Sequence, residues 1–430
     1  MTSSLYLDTA RLGQMSWKAR LAVHGFTELV GREPCSARID AFLTEGSSAF
    51  PGEVHAKNPG LMDWHGISAL KESLRTIAGA MPTCPVFLSS RSTQLMRLAA
   101  RLLFRRCKRV LVSDLEWPAY QKILENEARR RGREIENVPL RKAVFVDGLS
   151  ASQVTELLSS AYQKANCDGL FLSHVSFDGV RLPVREIVRA VSEVSPPKFS
   201  VVDGAQAFSH VPADLKLGDF DFYLAGCHKW LRAYHPMGVG FSCRQRSEEL
   251  VRETLSEMMR EGDLDDPLLR FTEKRERGEK EQYSETVSLS PLLASAGASA
   301  EFLQDWGFVR ERFSSLIAKA SQIAKAALGT GFVPVLPHPD LRSGVVLLRE
   351  EGDMRGTKKI DSLRRSLPEA GISITTYENG LLRLSAPTGA FTDEDSRFLH
   401  DALKGCTKTA SDRPIPKTRI FRPQPPEATR

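Results

Sequence analysis

The sequence lacks any run of about 18 consecutive apolar residues, the length that a membrane-spanning helix needs. The N-terminal stretch MTSSLYLDTARLGQM has no basic region followed by an apolar one, which a signal peptide would have. The seven cysteines are scattered, without the close pairs typical of metal sites. We therefore expect a cytoplasmic protein with reduced thiols, no membrane partner and no metal ion.

A strong charge of one sign is also absent. The net charge is +6 over 430 residues, and much of the excess is local. It comes from RRCKR (Arg105–Arg109), RRRGR (Arg129–Arg133) and a Pro- and Arg-rich tail that begins at Ser411. A basic patch can bind nucleic acid, but two short clusters beside predicted strands are more typical of solvated helix faces. We expect no nucleic-acid partner.

Short apolar runs alternate with amphipathic helical stretches between about residues 84 and 244, which predicts an α/β fold. Continuous apolar runs indicate a mixed, mostly parallel sheet covered by helices on both faces. The six runs are CPVFLSS, RVLVSDL, GLFLSHV, FSVVDGA, DFYLAGC and VGFSCR.

Beyond Ser290 an Ala-rich helical stretch precedes two strand-like segments, which predicts a smaller α+β domain at the C-terminus. Thr392, with Asp395 three residues later, predicts the start of the last helix. We divide the chain into an N-terminal segment that packs with the small domain (1–35), a large domain (36–289), the small domain (290–410) and a flexible basic tail (411–430).

Polar side chains follow the predicted strands, where ligands of such sheets bind. Asp203 ends one apolar run, Gln206 comes three residues later, and Lys229 follows the next run. An acid and a lysine on neighbouring strand ends can form a simple ion pair. A buried ammonium is costly, however, unless a partner or a chemical bond removes its charge.

Two further strand ends carry residues that an ion pair does not explain. Ser92 and Thr93 stand at the start of a predicted helix, where free backbone amides and hydroxyls suit a phosphate. Trp117 follows another strand and offers a flat ring for stacking. Each feature alone has an ordinary structural explanation, as a helix cap or a rim tryptophan. Together they match pyridoxal 5′-phosphate (PLP), which needs a phosphate anchor, a ring platform, a carboxylate and a lysine.

The block VVDGAQAFSHVPADLKLGDFDFYLAGCHKWLRAYHPMGVGF resembles the signature of the class V aminotransferases, a PLP fold type I family. GCHKWL is most similar to the isopenicillin N epimerase-like branch, beside the cysteine desulfurase-like enzymes. LYLDTARLGQMS, YSETVSLSPLLA and LLRLSAPTGAFTDED resemble further family segments, so that the resemblance extends to about Gly405.

The resemblance implies a role for each candidate residue in binding PLP. Lys229 forms the internal aldimine and then shuttles protons, Asp203 pairs with the pyridinium nitrogen, and Gln206 hydrogen-bonds the phenolic oxygen. Trp117 stacks on the ring. The remaining implied ligands contact the phosphate: Ser92, Thr93, His228 and, from a second subunit, Thr286. The last of these implies a homodimer.

Three positions depart from the family pattern. Gly226 stands where many relatives have a serine, which removes one phosphate hydroxyl. Phe177 and its neighbours stand where an asparagine is often found, and Glu285 replaces the glycine before Thr286.

Arg383 is implied to clamp the substrate carboxylate, a task that suits a planar two-pronged donor. The loop before it, TTYENGLLRLS, contains no cysteine, which argues against a persulfide-forming desulfurase. We therefore expect a PLP-dependent aminotransferase or C–S/C–N lyase acting at the α- or β-carbon of an amino acid in a specialised biosynthetic pathway. An epimerase or decarboxylase, or a PLP-fold sensor or scaffold without turnover, remains an alternative.

Overall fold

The strands follow the apolar runs of the sequence. The computed structural model describes residues 4–32, 36–50, 52, 57–279, 286–306, 309–351 and 357–412. All six runs listed above overlap a strand, which confirms those predictions. The described strands are β1 (Leu5–Tyr6), β2 (Val86–Ser89), β3 (Arg109–Ser113), β4 (Glu134–Val138), β5 (Gly169–Ser173), β6 (Phe199–Asp203), β7 (Phe222–Gly226), β8 (Gly238–Ser242), β9 (Phe332–Val335), β10 (Val345–Glu350), β11 (Ile372–Ser373), β12 (Thr375–Thr376) and β13 (Leu382–Ser385).

A seven-stranded sheet has the order β2-β8-β7-β6-β5-β3-β4. β8 is antiparallel to both of its neighbours, and the other neighbouring pairs are parallel. All strands except β8 therefore run in one direction, and their carboxyl ends meet at one edge. β4 has no counterpart among the predicted strands, because its sequence EIENV is largely polar and half-exposed at the sheet's border.

Helices cover both faces of this sheet. The described helices are α1 (Trp17–Arg32), α2 (Ser36–Glu45), α3 (Gly66–Ala78), α4 (Ser92–Arg106), α5 (Pro118–Arg131), α6 (Leu140–Phe145), α7 (Ala151–Lys164), α8 (Val184–Val194), α9 (Gln245–Glu261), α10 (Pro267–Glu276), α11 (Ser290–Trp306), α12 (Val309–Ala326), α13 (Thr357–Glu369) and α14 (Asp393–Asp412).

The continuous apolar runs arise because successive strand residues are buried on opposite faces. On β3, Leu111 belongs to one core cluster, whereas Val110 and Val112 belong to the other. α8 shows the matching helical pattern, since its buried residues recur at positions i, i+3, i+4 and i+7: Val184, Ile187, Val188 and Val191.

A second sheet lies in the C-terminal part of the chain. It is antiparallel, with the order β12-β13-β10-β9, and it shares an apolar core with α12, α13 and α14. β1 pairs in parallel with β11, so that the N-terminal segment joins this core through Leu5 and Leu7. Thr392 and Asp395 bond each other's backbone amides at the start of α14, which confirms the predicted cap.

The four proposed domain limits stay a prediction. Residues 413–430 of the predicted tail lie outside the described residues. Among the described helices, none is both long and apolar enough to cross a membrane.

Candidate active site

A cavity of about 980 Å³ lies where the carboxyl ends of the parallel strands meet the C-terminal sheet. The segments that follow β2, β3, β5, β6 and β7 each contribute to its wall, and α13 and β11–β13 close the other side. The structure thus brings eight of the nine candidate residues to one cavity: Ser92, Thr93, Trp117, Asp203, Gln206, His228, Lys229 and Arg383.

Lys229 lies three residues beyond the last residue of β7, in a turn that the N-terminal segment braces. Gly13 N donates to the carbonyl oxygen of His228 at 2.8 Å. A side chain at Gly13 would collide with this turn, because its Cβ would lie 2.0 Å from the carbonyl oxygen of Lys229. Burial lowers the pKa of Lys229 to about 8, although the nearby Asp203 carboxylate opposes that shift.

Asp203 ends β6 and is only 5% exposed. Its Oδ1 accepts a hydrogen bond from Ala205 N at 2.8 Å, which fixes the carboxyl group at the cavity wall. Burial raises the pKa of Asp203 to about 6, while the Ala205 amide and Lys229 oppose the shift. A basic group placed in this cavity would therefore meet a desolvated acid with few other partners.

Gln206 is held at both ends of its side-chain amide. Its Nε2 donates to the carbonyl oxygen of Ala10 at 2.6 Å, and its Oε1 accepts from Trp230 Nε1 at 2.9 Å. These two bonds use only one of the two N–H groups of the side-chain amide, so the other can donate to a further group. The contact to a phenolic oxygen stays a prediction.

α4 begins at Ser92, so its first backbone amides have no acceptor within the helix. Gly238 lets β8 approach this helix end closely, since a Cβ there would lie 2.7 Å from Ser92 N. His228 also lines the cavity, and its buried Nδ1 has no hydrogen-bond partner within the described residues. Amides, hydroxyls and an unpaired ring nitrogen around one space are the donor set that a phosphate needs.

Tyr120 is part of this cradle, although the sequence argument did not identify it. Its hydroxyl donates to Ser92 Oγ at 2.9 Å, which leaves the Ser92 hydroxyl free to donate elsewhere. Tyr120 stands three residues after Trp117, on the first turn of α5. This three-residue spacing, close to one helical turn, was the feature of the sequence that could have identified Tyr120.

Arg383 lies on β13 and is 4% exposed. Its neighbours Leu382 and Leu384 belong to the apolar core, whereas Arg383 lines the cavity, as the strand alternation predicts. Its Nη1 donates to the carbonyl oxygen of Phe177 and its Nη2 to Thr375 Oγ1, both at 3.2 Å. Its Nε is buried without a hydrogen-bond partner among the described residues, so the guanidinium still has donor capacity.

Asp8 is a second residue that the sequence argument did not identify. Its Oδ1 lies 3.8 Å from Arg383 Nη2 and accepts a hydrogen bond from Thr375 Oγ1 at 2.6 Å. Burial raises the pKa of Asp8, with Thr375 and Arg383 opposing the shift. The N-terminal segment therefore helps to orient the arginine.

Trp117 stands at the N-terminus of α5 and is 43% exposed. Its ring meets Phe177 edge-to-face, with centroids 5.3 Å apart and an angle of 76° between the planes. Trp117 also lines the cavity, where an aromatic ring suits a flat ligand. Stacking on a cofactor ring stays a prediction.

Thr286 does not line the cavity of its own chain, and its side chain is exposed. Glu285, which precedes it, lies outside the described residues. The structure of one chain therefore leaves the predicted contact across a dimer untested.

The residues present fit PLP. The cavity combines a phosphate cradle, which includes a His228 nitrogen without a partner among the described residues, with a buried acid and a buried amine of lowered pKa. None of the six described cysteines lines it, so a thiol nucleophile is absent from the described wall.

Comparison with known proteins points to the same family. The family model described as "Aminotransferase class-V" matches residues 39–310. The chain is similar to isopenicillin N epimerase of Streptomyces clavuligerus, with 29% identity over 174 residues. It is also similar to a probable cysteine desulfurase of Vibrio cholerae, with 26% identity over 175 residues. Each match covers 40% of this chain and 41% or 40% of the relative, so the chain spans about two-fifths of these curated relatives.

Among solved structures, the fold is similar to that of the cysteine desulfurase CsdA from Escherichia coli. The TM-score is 0.66 at 16% identity, and the alignment covers 94% of this chain and 95% of that one. The predicted fold, an α/β PLP fold type I with a mostly parallel sheet, is therefore confirmed. The prediction of PLP as cofactor is confirmed at the level of the family. The chain belongs to the class V aminotransferases.

Proposed function

We propose that the protein catalyses a transamination or a C–S or C–N cleavage at the α- or β-carbon of an α-amino acid. The observation that carries the proposal is one cavity that holds Lys229, Asp203 and Arg383 together. An amine, a desolvated acid and a planar carboxylate clamp are the groups that chemistry at an amino acid's α-carbon requires. The lack of a cysteine in the described wall supports this over a persulfide-forming desulfurase.

Each residue has a task in this proposal. Arg383 orients the substrate by its carboxylate, since its guanidinium points into the cavity with an unpaired Nε. Lys229, with a pKa of about 8, binds PLP through its amine and then moves a proton at the α-carbon. Asp203 binds the ring nitrogen, and Ser92, Thr93 and His228 hold the phosphate. Bound PLP supplies an electron sink for the bonds at the α-carbon.

The test is a screen of the cofactor-loaded protein against the amino acids, with and without an α-keto acid that can accept the amino group. Catalytic keto acid formation only with the acceptor indicates transamination, keto acid together with free ammonia indicates elimination, and release of sulfide or CO₂ indicates C–S cleavage or decarboxylation. We expect keto acid or an elimination product with at least one amino acid. A loaded protein that releases none of these products and does not change the optical rotation of any amino acid would instead support a sensor or scaffold.

Arg383 separates an enzyme from a scaffold. Arg383→Ala and Arg383→Lys should both keep the absorbance of bound PLP while kcat/KM for the amino acid substrate falls. Transition-state stabilisation, calculated from the ratio of kcat/KM values, should fall by about 2–5 kcal/mol. In Arg383→Ala the carboxylate loses its charge-assisted partner, and in Arg383→Lys the ammonium does not reproduce the planar fork. Steady-state kinetics of the purified variants measure this.

Two controls accompany the Arg383 variants. An amine without a carboxylate should react almost equally well with wild type and variants. Arg349→Lys, an exposed arginine on the neighbouring β10, should leave kcat/KM unchanged. If the amino acid reacts equally well with the Arg383 variants, another group binds the carboxylate.

We also propose a homodimer in which Thr286 contacts the phosphate of the partner's site, since Thr286 lies outside its own cavity. Light scattering should give twice the chain mass of 47.7 kDa. Thr286→Ala should weaken PLP binding, through loss of one hydrogen bond to a charged group worth about 1.5–3 kcal/mol.

Mixing two variants tests the exchange between subunits. In a heterodimer of Lys229→Ala and Thr286→Ala chains, one site would hold both changes and the other neither. Mixing should therefore restore one site of wild-type PLP affinity per heterodimer. A monomer that turns over, or no recovery on mixing, would refute the shared site.

A further inference from the structure

One side of the cavity is built from aromatic rings. Phe177 lies between Trp117 and Tyr377 and meets both edge-to-face, with centroid distances of 5.3 Å and 6.0 Å. All three residues line the cavity. The Arg141 guanidinium lies 5.2 Å from the centre of the Phe177 ring, which braces that ring further. The result is a rigid aromatic surface rather than a flexible loop.

Aliphatic side chains also line the cavity. They come from α13 and the segment after it: Leu363, Leu367, Pro368 and Ile374. Leu363 and Leu367 are anchored in the apolar core of the C-terminal part, at 4% and 1% exposure. We call this surface, from Phe177 through Tyr377 to the four aliphatic residues, the apolar wall; Trp117 supports it through its contact with Phe177.

The apolar wall begins at the carboxylate clamp. The carbonyl oxygen of Phe177 accepts hydrogen bonds from Arg383 Nη1 at 3.2 Å and from the Tyr377 hydroxyl at 3.4 Å. The centre of the Tyr377 ring lies 5.6 Å from Arg383 Cζ. An amino acid held by its carboxylate at Arg383 would place its side chain, one carbon away, against Phe177 or Tyr377.

Charged residues at the rim offer a rival partner for the side chain. Three exposed arginines, Arg11, Arg91 and Arg364, line the cavity. Arg364, however, already donates to Thr376 Oγ1 at 2.9 Å and to Asp361 Oδ1 at 3.4 Å, and its side chain is exposed. An exposed and already bonded cation binds a second anion weakly, whereas a dry apolar wall gains from every carbon that it covers.

On the proposed function, we infer that the substrate is an amino acid with a large apolar side chain, aromatic in the best case, which the apolar wall binds. Short substrates, such as those with one or two side-chain atoms, would leave the half-buried rings of Phe177 and Tyr377 uncovered. An acidic side chain would meet the wall's carbon atoms before it reached Arg364. The wall thus acts as the specificity-determining surface of the site.

Carboxylate analogues without an amino group test the inference by binding alone. The ligands are acetate, propanoate, butanoate, 3-phenylpropanoate and succinate, titrated calorimetrically into the PLP-loaded protein. Affinity should rise about fourfold with each added methylene, and 3-phenylpropanoate should bind about 10- to 150-fold more tightly than propanoate. Succinate should bind no more tightly than butanoate.

Variants at Phe177 test whether the apolar wall causes the tighter binding of apolar ligands. Phe177→Asn should weaken 3-phenylpropanoate about tenfold or more, while Phe177→Leu, which keeps an apolar side chain, should retain most of the affinity. Acetate should bind both variants as it binds wild type, which also shows that the clamp is intact. The absorbance of bound PLP reports the integrity of the site in each variant.

The outcomes separate this inference from the proposed function. A loaded protein whose affinity does not depend on chain length would overturn the apolar wall alone. Tighter binding of succinate than of 3-phenylpropanoate would also overturn it and would assign the rim arginines to an acidic substrate. Failure to bind PLP would overturn the proposed function together with this inference.

Discussion

Lys229→Ala should abolish covalent attachment of PLP and lower turnover by at least about a thousandfold. In the proposed function Lys229 supplies both the amine that binds the cofactor and the group that moves the proton at the α-carbon, so the variant would lose both. General acid–base catalysis alone contributes about 10²- to 10⁴-fold. The absorbance of the purified variant and its kcat measure the two losses. Lys198→Ala is a matched control, since Lys198 is an exposed lysine that pairs with Asp168 away from the cavity.

The pH dependence of cofactor uptake distinguishes Lys229 from an ordinary lysine. Only the neutral amine attacks the PLP aldehyde, and burial lowers the pKa of Lys229 to about 8 from the usual 10.5. The rate at which the cofactor-free protein takes up PLP should therefore rise as the pH increases through about 8 and level off above it. A rate that keeps rising toward pH 10 would indicate attachment at a solvated lysine.

Asp203→Asn should largely keep PLP binding but slow turnover by about a hundredfold to ten-thousandfold. In the proposed function the carboxylate would keep the ring nitrogen protonated, which the ring needs in order to act as an electron sink. Losing it should raise the barrier by several kcal/mol, where each ~1.4 kcal/mol is tenfold in rate. Single-turnover kinetics on the loaded variant measure the chemical step directly.

The asparagine replacement should leave the fold intact. Its side-chain oxygen can still accept the hydrogen bond from Ala205 N, and a neutral amide is easier to bury than the desolvated acid. Thermal unfolding of the variant, compared with wild type, checks this. Near-normal turnover with an unchanged melting temperature would show that Asp203 is only a structural acid.

The main features of the site could be predicted because they depend on local sequence. A strand that is buried on both faces appears as a continuous apolar run, and the residues that follow it must lie at the sheet's carboxyl edge. Asp203, Lys229 and Ser92 were found in this way, and all three line one cavity. Arg383 was implied by the family resemblance, and the alternation of β13 agrees with its place on the cavity side, opposite the core residues Leu382 and Leu384.

The features that the sequence did not predict depend on contacts between distant parts of the chain. Asp8 reaches Arg383 only because β1 pairs with β11, some 370 residues later along the chain. The apolar wall likewise forms where the segment after β5 meets α13 and Tyr377. In the sequence alone, Phe177 indicates only that the asparagine often found at this place in the family is missing. Its function as a wall becomes apparent only beside Tyr377 and Arg383.

Contacts that a partner chain would supply remain predictions for another reason. Thr286 has its proposed ligand in a second subunit, and the preceding residues 280–285 lie outside the described residues. The hydrogen bonds of Gln206 also join distant parts of the chain. Its two described bonds, to Ala10 and Trp230, come from the N-terminal segment and from the turn that carries Lys229.

The most direct test of the central claim is borohydride reduction of the PLP-loaded protein followed by peptide mass spectrometry. Reduction converts the imine between cofactor and lysine into a stable amine, so the label records which lysine holds PLP. The account predicts one pyridoxyl group per chain, on Lys229, and no label in Lys229→Ala. A pyridoxyl group on a different lysine, with Lys229 unmodified, would contradict the account.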